Sequence, residues 1–150
     1  MKIYDAKIRY TLVNEGPAEV LANAGKVVEY MKGAFDDYPL QEAFWVILCN
    51  RKNRAMARHR VTLGTATSAL AHPREVFKLA ILASACSVLL CHNHPSGETQ
   101  PSAADLSITK MLVDAGRLLE IPVLDHIIIG NVLDDPLGKG YFSWREAGLM

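Results

Sequence analysis

Apolar residues fall in a few separated runs along the chain, and their spacing changes from run to run. Ile8, Tyr10 and Leu12 alternate with polar neighbours, the period of a strand with one covered face. Gly16-Pro17 punctuates the chain, and Pro17 suits the first turn of a helix. Val20, Leu21, Ala24, Val27, Val28 and Met31 then keep to one helical face, and Gly33 and Pro39 close that segment. Residues 43–49, Ala-Phe-Trp-Val-Ile-Leu-Cys, are continuously apolar and predict a strand covered on both sides. Asn50-Arg51-Lys52-Asn53 reads as a turn and residues 54–63 as the returning strand of a hairpin.

Beyond it, Pro73-Arg74-Glu75 opens an apolar helix that runs to about Ser84. Residues 86–91, Cys-Ser-Val-Leu-Leu-Cys, predict another buried strand, followed by a loop over 93–101 and a helix over 102–119 carried by Leu106, Val113 and Leu119. Val123, Leu124 and Ile127 to Ile129 make a further strand that Gly130 ends, and Tyr141, Phe142 and Trp144 suggest an edge strand near the end of the chain. Interleaved helices and strands predict an α/β or α+β domain with a central mixed β-sheet.

Composition narrows the function classes. A chain of 150 residues is one domain by length, here residues 1–150, large enough to bury roughly 68–70 % of its unfolded surface. Half of it is hydrophobic and 21 % charged, which excludes a disordered chain. Lysine plus arginine is 16 and aspartate plus glutamate is 16, a balance that argues against binding held mainly to phosphates. The three cysteines, Cys49, Cys86 and Cys91, are an odd set in or beside apolar runs and predict reduced thiols in a cytoplasmic protein. The chain opens Met1-Lys2-Ile3-Tyr4-Asp5 with no secretion signature, and its apolar runs of about ten residues are too short for a membrane span.

The stretch that carries chemistry is His92-Asn93-His94-Pro95-Ser96-Gly97, with Pro101-Ser102 and Asp105 following. Alternation along an extended chain points His92 and His94 the same way, and Pro95 and Gly97 then turn the chain. A carboxylate in the first turn of the next helix can return to the same point, and two His with one Asp leave a fourth tetrahedral position for water. The blander alternative is that each histidine is a hydrogen-bonded structural residue and that Ser102 and Asp105 cap a helix. Neither a His-Glu-x-x-His helix, nor the nucleobase-deaminase signature, nor a phosphate-cradling Gly-rich loop is present.

The spacing His92-x-His94-Pro95, six residues, Ser102, two residues, Asp105 resembles the JAMM motif of the JAB/MPN metalloenzyme superfamily. The wording His-Asn-His-Pro-Ser-Gly, with Pro73-Arg74-Glu75-Val76-Phe77 and Leu124-Asp125-His126, is similar to its bacterial RadC-like branch, over roughly residues 40–145. The resemblance implies a curved mixed sheet flanked by helices, of the layered kind also found in cytidine deaminases. It implies one Zn2+ per chain on His92, His94 and Asp105, with Glu42 as general base and Ser102 as oxyanion donor. Its implied activity is peptide or isopeptide hydrolysis, with a peptide or protein as substrate. Full-length RadC-like proteins resemble a helix-hairpin-helix segment followed by this domain, and the expectation is the second part alone. Glu75 and Glu98 are the other candidate bases, and Asp125 and His126 candidate supports for a metal ligand. Cys91 should face away from His92, and His59 and His72 carry no spacing signal. Two rival functions stand beside the hydrolase: a nucleic-acid-binding or DNA-repair-associated module using Arg51, Lys52, Arg54, Arg58, His59 and Arg60, and an inactive scaffold that binds partners.

Overall fold

The apolar run at 43–49 becomes the strand around which the sheet is built. The structure, a computed structural model, describes residues 1–5, 7–13, 15, 20–64 and 71–150. Its strands are β1 (Ala43–Cys49), β2 (Ala55–Leu63), β3 (Ser87–Asn93), β4 (Val123–Ile129) and β5 (Tyr141–Ser143), in the order β2-β1-β3-β4-β5. β1 pairs antiparallel with both β2 and β3, β3 pairs parallel with β4, and β4 pairs antiparallel with β5. A parallel neighbour needs a crossover, and helix α3 (Ala103–Leu118) supplies it between β3 and β4. Helices α1 (Ala24–Tyr30) and α2 (Pro73–Leu82) complete the described elements. This is the mixed sheet flanked by helices that the interleaved pattern predicts.

Alternation along the strands sorts side chains into two cores. Phe44, Val46, Leu48, Val88 and Leu90 pack against Val76, Phe77 and Ala80 of α2 and Ile108 and Leu112 of α3. Ile47, Cys49, Leu89, Cys91 and Ile127 pack on the opposite face against Ala24 and Val27 of α1 and against Met31. The even-numbered positions of β3 therefore face α3, and Cys91 points away from His92 as expected. Burial pushes the Cys49 thiol up to about 11 and the Cys91 thiol higher still, so both are inert, uncharged core groups. Gly116 lets α3 pack closely, because a Cβ there would lie 2.7 Å from the Ile121 carbonyl oxygen and 3.1 Å from the Phe77 ring.

Two expectations near the start of the chain are corrected. The described residues around Ile8, Tyr10 and Leu12 form no strand, and Tyr10 and Leu12 are exposed. Their alternation finds no sheet edge to pair with, and an alternating pattern has no force without a covered face. The first helix is shorter than its apolar spacing suggests. Val20 forms a bridge with Arg54, the Leu21 N–H bonds the Asn53 carbonyl, and only at Asn23, which caps Lys26, does the chain coil. The expected helix start at Pro17 lies outside the described residues. The other elements fall within two residues of their predicted ends.

Leu112 is fully buried between α3 and the sheet, whereas Leu118 on the same helix is 85 % exposed. Leu112→Ala should lower unfolding free energy in urea by about 2–5 kcal/mol, and Leu118→Ala by no more than about 0.5 kcal/mol.

Candidate metal centre

β3 does not stop facing α3 where its ladder ends. The His94 N–H still bonds the Ile129 carbonyl at 2.9 Å, so the extended path continues one residue and His94 keeps the side taken by His92. The chain then turns: the Gly97 N–H returns to the His94 carbonyl, and Gly97 takes φ 89°, open to glycine at no steric cost. Asn131 donates its N–H to the Gly97 carbonyl at 2.8 Å. A Cβ on Gly130 would run into that same oxygen, so backbone pins the turn directly. Five residues later α3 begins with a reciprocal cap. The Ser102 hydroxyl accepts from the Asp105 N–H, while the Ser102 N–H and hydroxyl both donate to Asp105 Oδ2 at 2.7 and 2.6 Å.

The cap and the turn bring three donor groups together. His92 Nε2 lies 3.1 Å from His94 Nε2 and 3.3 Å from Asp105 Oδ1, and His94 Nε2 lies 3.5 Å from Asp105 Oδ2. Ligands about 2.0–2.1 Å from a tetrahedral ion stand about 3.3–3.4 Å apart; the two histidine nitrogens and the His92 Nε2–Asp105 Oδ1 pair come close to that spacing, and one donor atom from each of the three residues lies within 4.8 Å of the others. The other nitrogens are engaged. His94 Nδ1 donates to the Glu98 carbonyl at 2.9 Å, and His92 Nδ1 lies 2.8 Å from Nε2 of His126. Engaging Nδ1 leaves Nε2 as the ligand atom and holds the ring. His92, His94 and Asp105 could thus hold a metal ion.

The electrostatics fit that use. Burial works against the Asp105 carboxylate, but His92, His94 and Ser102 outweigh it and hold the carboxyl far below the usual carboxylate range. Burial pulls the His94 imidazole down, while Asp105, the Glu98 carbonyl and the charge of Glu42 lift it to a net rise. His126 is driven well below the ordinary histidine value by burial and by the neighbouring His92 and His94, which keeps it neutral.

The RadC-like JAB domain profile matches residues 21–149. The chain belongs to the RadC-like JAB domain family. It is 47 % identical over 130 residues to a UPF0758 protein of Chlorobaculum parvum, covering 87 % of this chain and 55 % of that relative. A UPF0758 protein of Symbiobacterium thermophilum is 45 % identical over 130 residues, covering 87 % of this chain and 52 % of the relative. This RadC-like JAB domain therefore spans about half the length of the curated relatives it matches.

The remaining candidates are scattered. Glu42 lies immediately before β1, and because Phe44 pairs with His92, continuing that register puts Glu42 across from His94. Glu75 is in the first turn of α2 and paired with Lys78, and Glu98 contributes its carbonyl. His72 caps α2, and Asp125 ties β4 to the following turn by accepting from the His126 and Arg145 N–H groups and the Ser143 hydroxyl. Arg58 lies over the Tyr30 and Trp45 rings and Arg60 over Tyr38, so these two cations of the basic run are packed on aromatics.

Sequence reasoning missed four residues of this RadC-like JAB domain's site. Asn93 accepts from the Ala43 N–H at 2.7 Å and donates to the Gln41 carbonyl at 3.1 Å, clamping the peptide on both sides of Glu42. Its place between the two histidines was the available signal. Phe44 stacks on His92 at 5.8 Å, Trp144 stacks on His126 at 4.4 Å, and Thr109 bonds His126. Nothing local in the sequence marks those three. A groove of about 260 Å³ opens beside His94, between Phe35 and Pro39 on one side and the 95–97 turn on the other.

Metal analysis by mass spectrometry should find close to one equivalent of a divalent metal ion per chain. His92→Ala and Asp105→Ala should each lose it while keeping a cooperative unfolding transition; metal retained by both variants would place the site elsewhere.

Proposed function

We propose that this domain is a zinc-dependent hydrolase of the JAMM type that cleaves a peptide or isopeptide bond. The observation that carries this reading is the convergence of the His92, His94 and Asp105 donor atoms within 4.8 Å of one another, with His94 also lining a groove. Held by three protein ligands, zinc supplies Lewis acidity, polarising a carbonyl and bringing the pKa of water down to about 7.

The chain's own groups account for the rest. The groove beside His94 receives the substrate backbone, with Phe35 and Pro39 as an apolar wall. Glu42, clamped by Asn93, takes the proton released as water adds to the carbonyl carbon and hands it to the departing amine as the C–N bond breaks. Ser102 donates to the oxygen of the tetrahedral carbon. Its hydroxyl hydrogen is given to Asp105 Oδ2 in this structure, so that role requires the hydroxyl to turn towards the substrate. Phe44 and Trp144 shield the imidazoles from water on the inner side.

The nucleic-acid reading is weaker. Its basic run lies on β2 and the turn before it, and an open depression of about 680 Å³ at Asn50, Arg51 and Lys52 sits at the opposite end of β1 from His92. A phosphate-binding role there predicts affinity that falls steeply with salt and is lost when Arg51 and Lys52 are neutralised. Free, buried Cys49 and Cys91 suit the reducing cytoplasm, where we place the protein. No helix among the described residues is long and apolar enough to cross a membrane.

Glu42→Gln should retain zinc and lose hydrolysis of peptide or isopeptide substrates by about 100-fold or more, and His92→Ala should lose both. Full activity in Glu42→Gln would move the general base to another group.

A further inference from the structure

We infer that a closed circuit of hydrogen bonds, running from the Asp105 carbonyl through Thr109 and His126 to His92, selects the ring nitrogen that His92 presents to the metal. Thr109 and His126 are thereby positioning residues of the site. The inference rests on the metal-centre reading above.

The direction of each bond follows from counting hydrogens. Thr109 Oγ1 lies 2.6 Å from the Asp105 carbonyl oxygen and 2.6 Å from His126 Nδ1. A carbonyl can only accept, so the single hydroxyl hydrogen goes to Asp105. Oγ1 then shows His126 only lone pairs, and Nδ1 of His126 has to donate. A neutral imidazole carries one N–H, so Nε2 of His126 is an acceptor, 2.8 Å from His92 Nδ1. His92 Nδ1 has to donate in turn, which leaves the His92 Nε2 lone pair facing His94 and Asp105. With neutral rings, no other assignment satisfies all three contacts.

The circuit closes on the element where it starts. Asp105 and Thr109 stand one turn apart on α3, His126 is on β4 and His92 on β3. The Asp105 side chain then meets the His92 Nε2 that its own carbonyl indirectly orients. Both rings of the relay have no exposure to solvent, and Thr109 is 2 % exposed, so water has no access to reverse a donor. Phe44 lies flat against His92 and Trp144 against His126, which fixes the ring planes. A residue that merely filled space at 109 would tolerate any side chain of the same shape. A residue that sets proton direction would not.

Valine has the shape of threonine without the hydroxyl. In Thr109→Val, His126 is free to carry its hydrogen on Nε2. His92 then becomes the acceptor at Nδ1 and turns an N–H towards the metal position. The decisive readout is the histidine tautomer, from two-bond proton–nitrogen correlation spectra of the metal-free protein at mildly alkaline pH, beside zinc affinity from chelator competition. The wild type should show Nδ1–H on both His92 and His126. Thr109→Val should lose about 10- to 100-fold in zinc affinity, the range typical for groups that orient a metal ligand, and Thr109→Ser should restore it. An Nε2–H tautomer on either wild-type ring, or wild-type affinity in Thr109→Val, overturns the inference. Should Thr109→Val not fold, the wild-type spectrum decides alone. Should the wild type take up no zinc, the metal-centre reading falls, while the tautomers still decide the relay.

Discussion

His92 and His126 sit with no exposure to solvent, and a buried ring nitrogen left without a partner costs about 1–3 kcal/mol. Three of their four ring nitrogens are satisfied inside the domain, and the fourth, His92 Nε2, is the one left facing His94 and Asp105. The partners come from three elements, and none of them is close to another in sequence. β3 brings His92, β4 brings His126 by pairing parallel to it, and α3 brings Thr109. The same face of α3 that delivers Asp105 and Thr109 also buries Ile108 and Leu112 in the core. Docking α3 by hydrophobic burial and completing the polar circuit are thus one event. Either without the other leaves a hole or an orphaned imidazole.

The sheet's direction decides where chemistry can sit. In α/β units ligands gather beyond the carboxyl ends of parallel strands, where the loops to the crossover helices open. His92 and His94 lie at the carboxyl end of β3, and the start of α3 comes back to the same place. The antiparallel neighbour β1 begins there, which is why Glu42, just ahead of it, reaches the same end. The basic turn between β1 and β2 falls at the far end of the strands, beyond cooperation with the histidines.

The strands, α2, α3 and the His-His-Asp set were legible in the sequence because each rests on short-range information. Continuous apolar runs marked β1 and β3, and the ligand spacing spanned only Asp105 back to His92. What the sequence hid depends on distant contacts. The alternation of Ile8, Tyr10 and Leu12 promised a strand that has no edge to join, and Val20 and Leu21 are held extended by the hairpin turn rather than by their helical spacing. Thr109 and Trp144 looked like an ordinary helix position and an ordinary core aromatic. Their meaning appears only when β4 sets His126 between them. Asp125 and His126 were adjacent candidates for one role, and strand alternation splits them, with His126 alone reaching His92.

The reciprocal cap at the start of α3 gives Asp105 two employers. One carboxylate oxygen receives the Ser102 N–H and hydroxyl, and the same group faces both histidines. Ion uptake at this site would therefore be thermodynamically linked to the integrity of the helix's first turn through a single side chain. Loading the site should slow amide hydrogen exchange at the beginning of α3, and fraying of that turn should weaken the ion's hold. Removing the carboxylate outright conflates the two, whereas an asparagine, which can still accept from Ser102, separates the cap from the ligand.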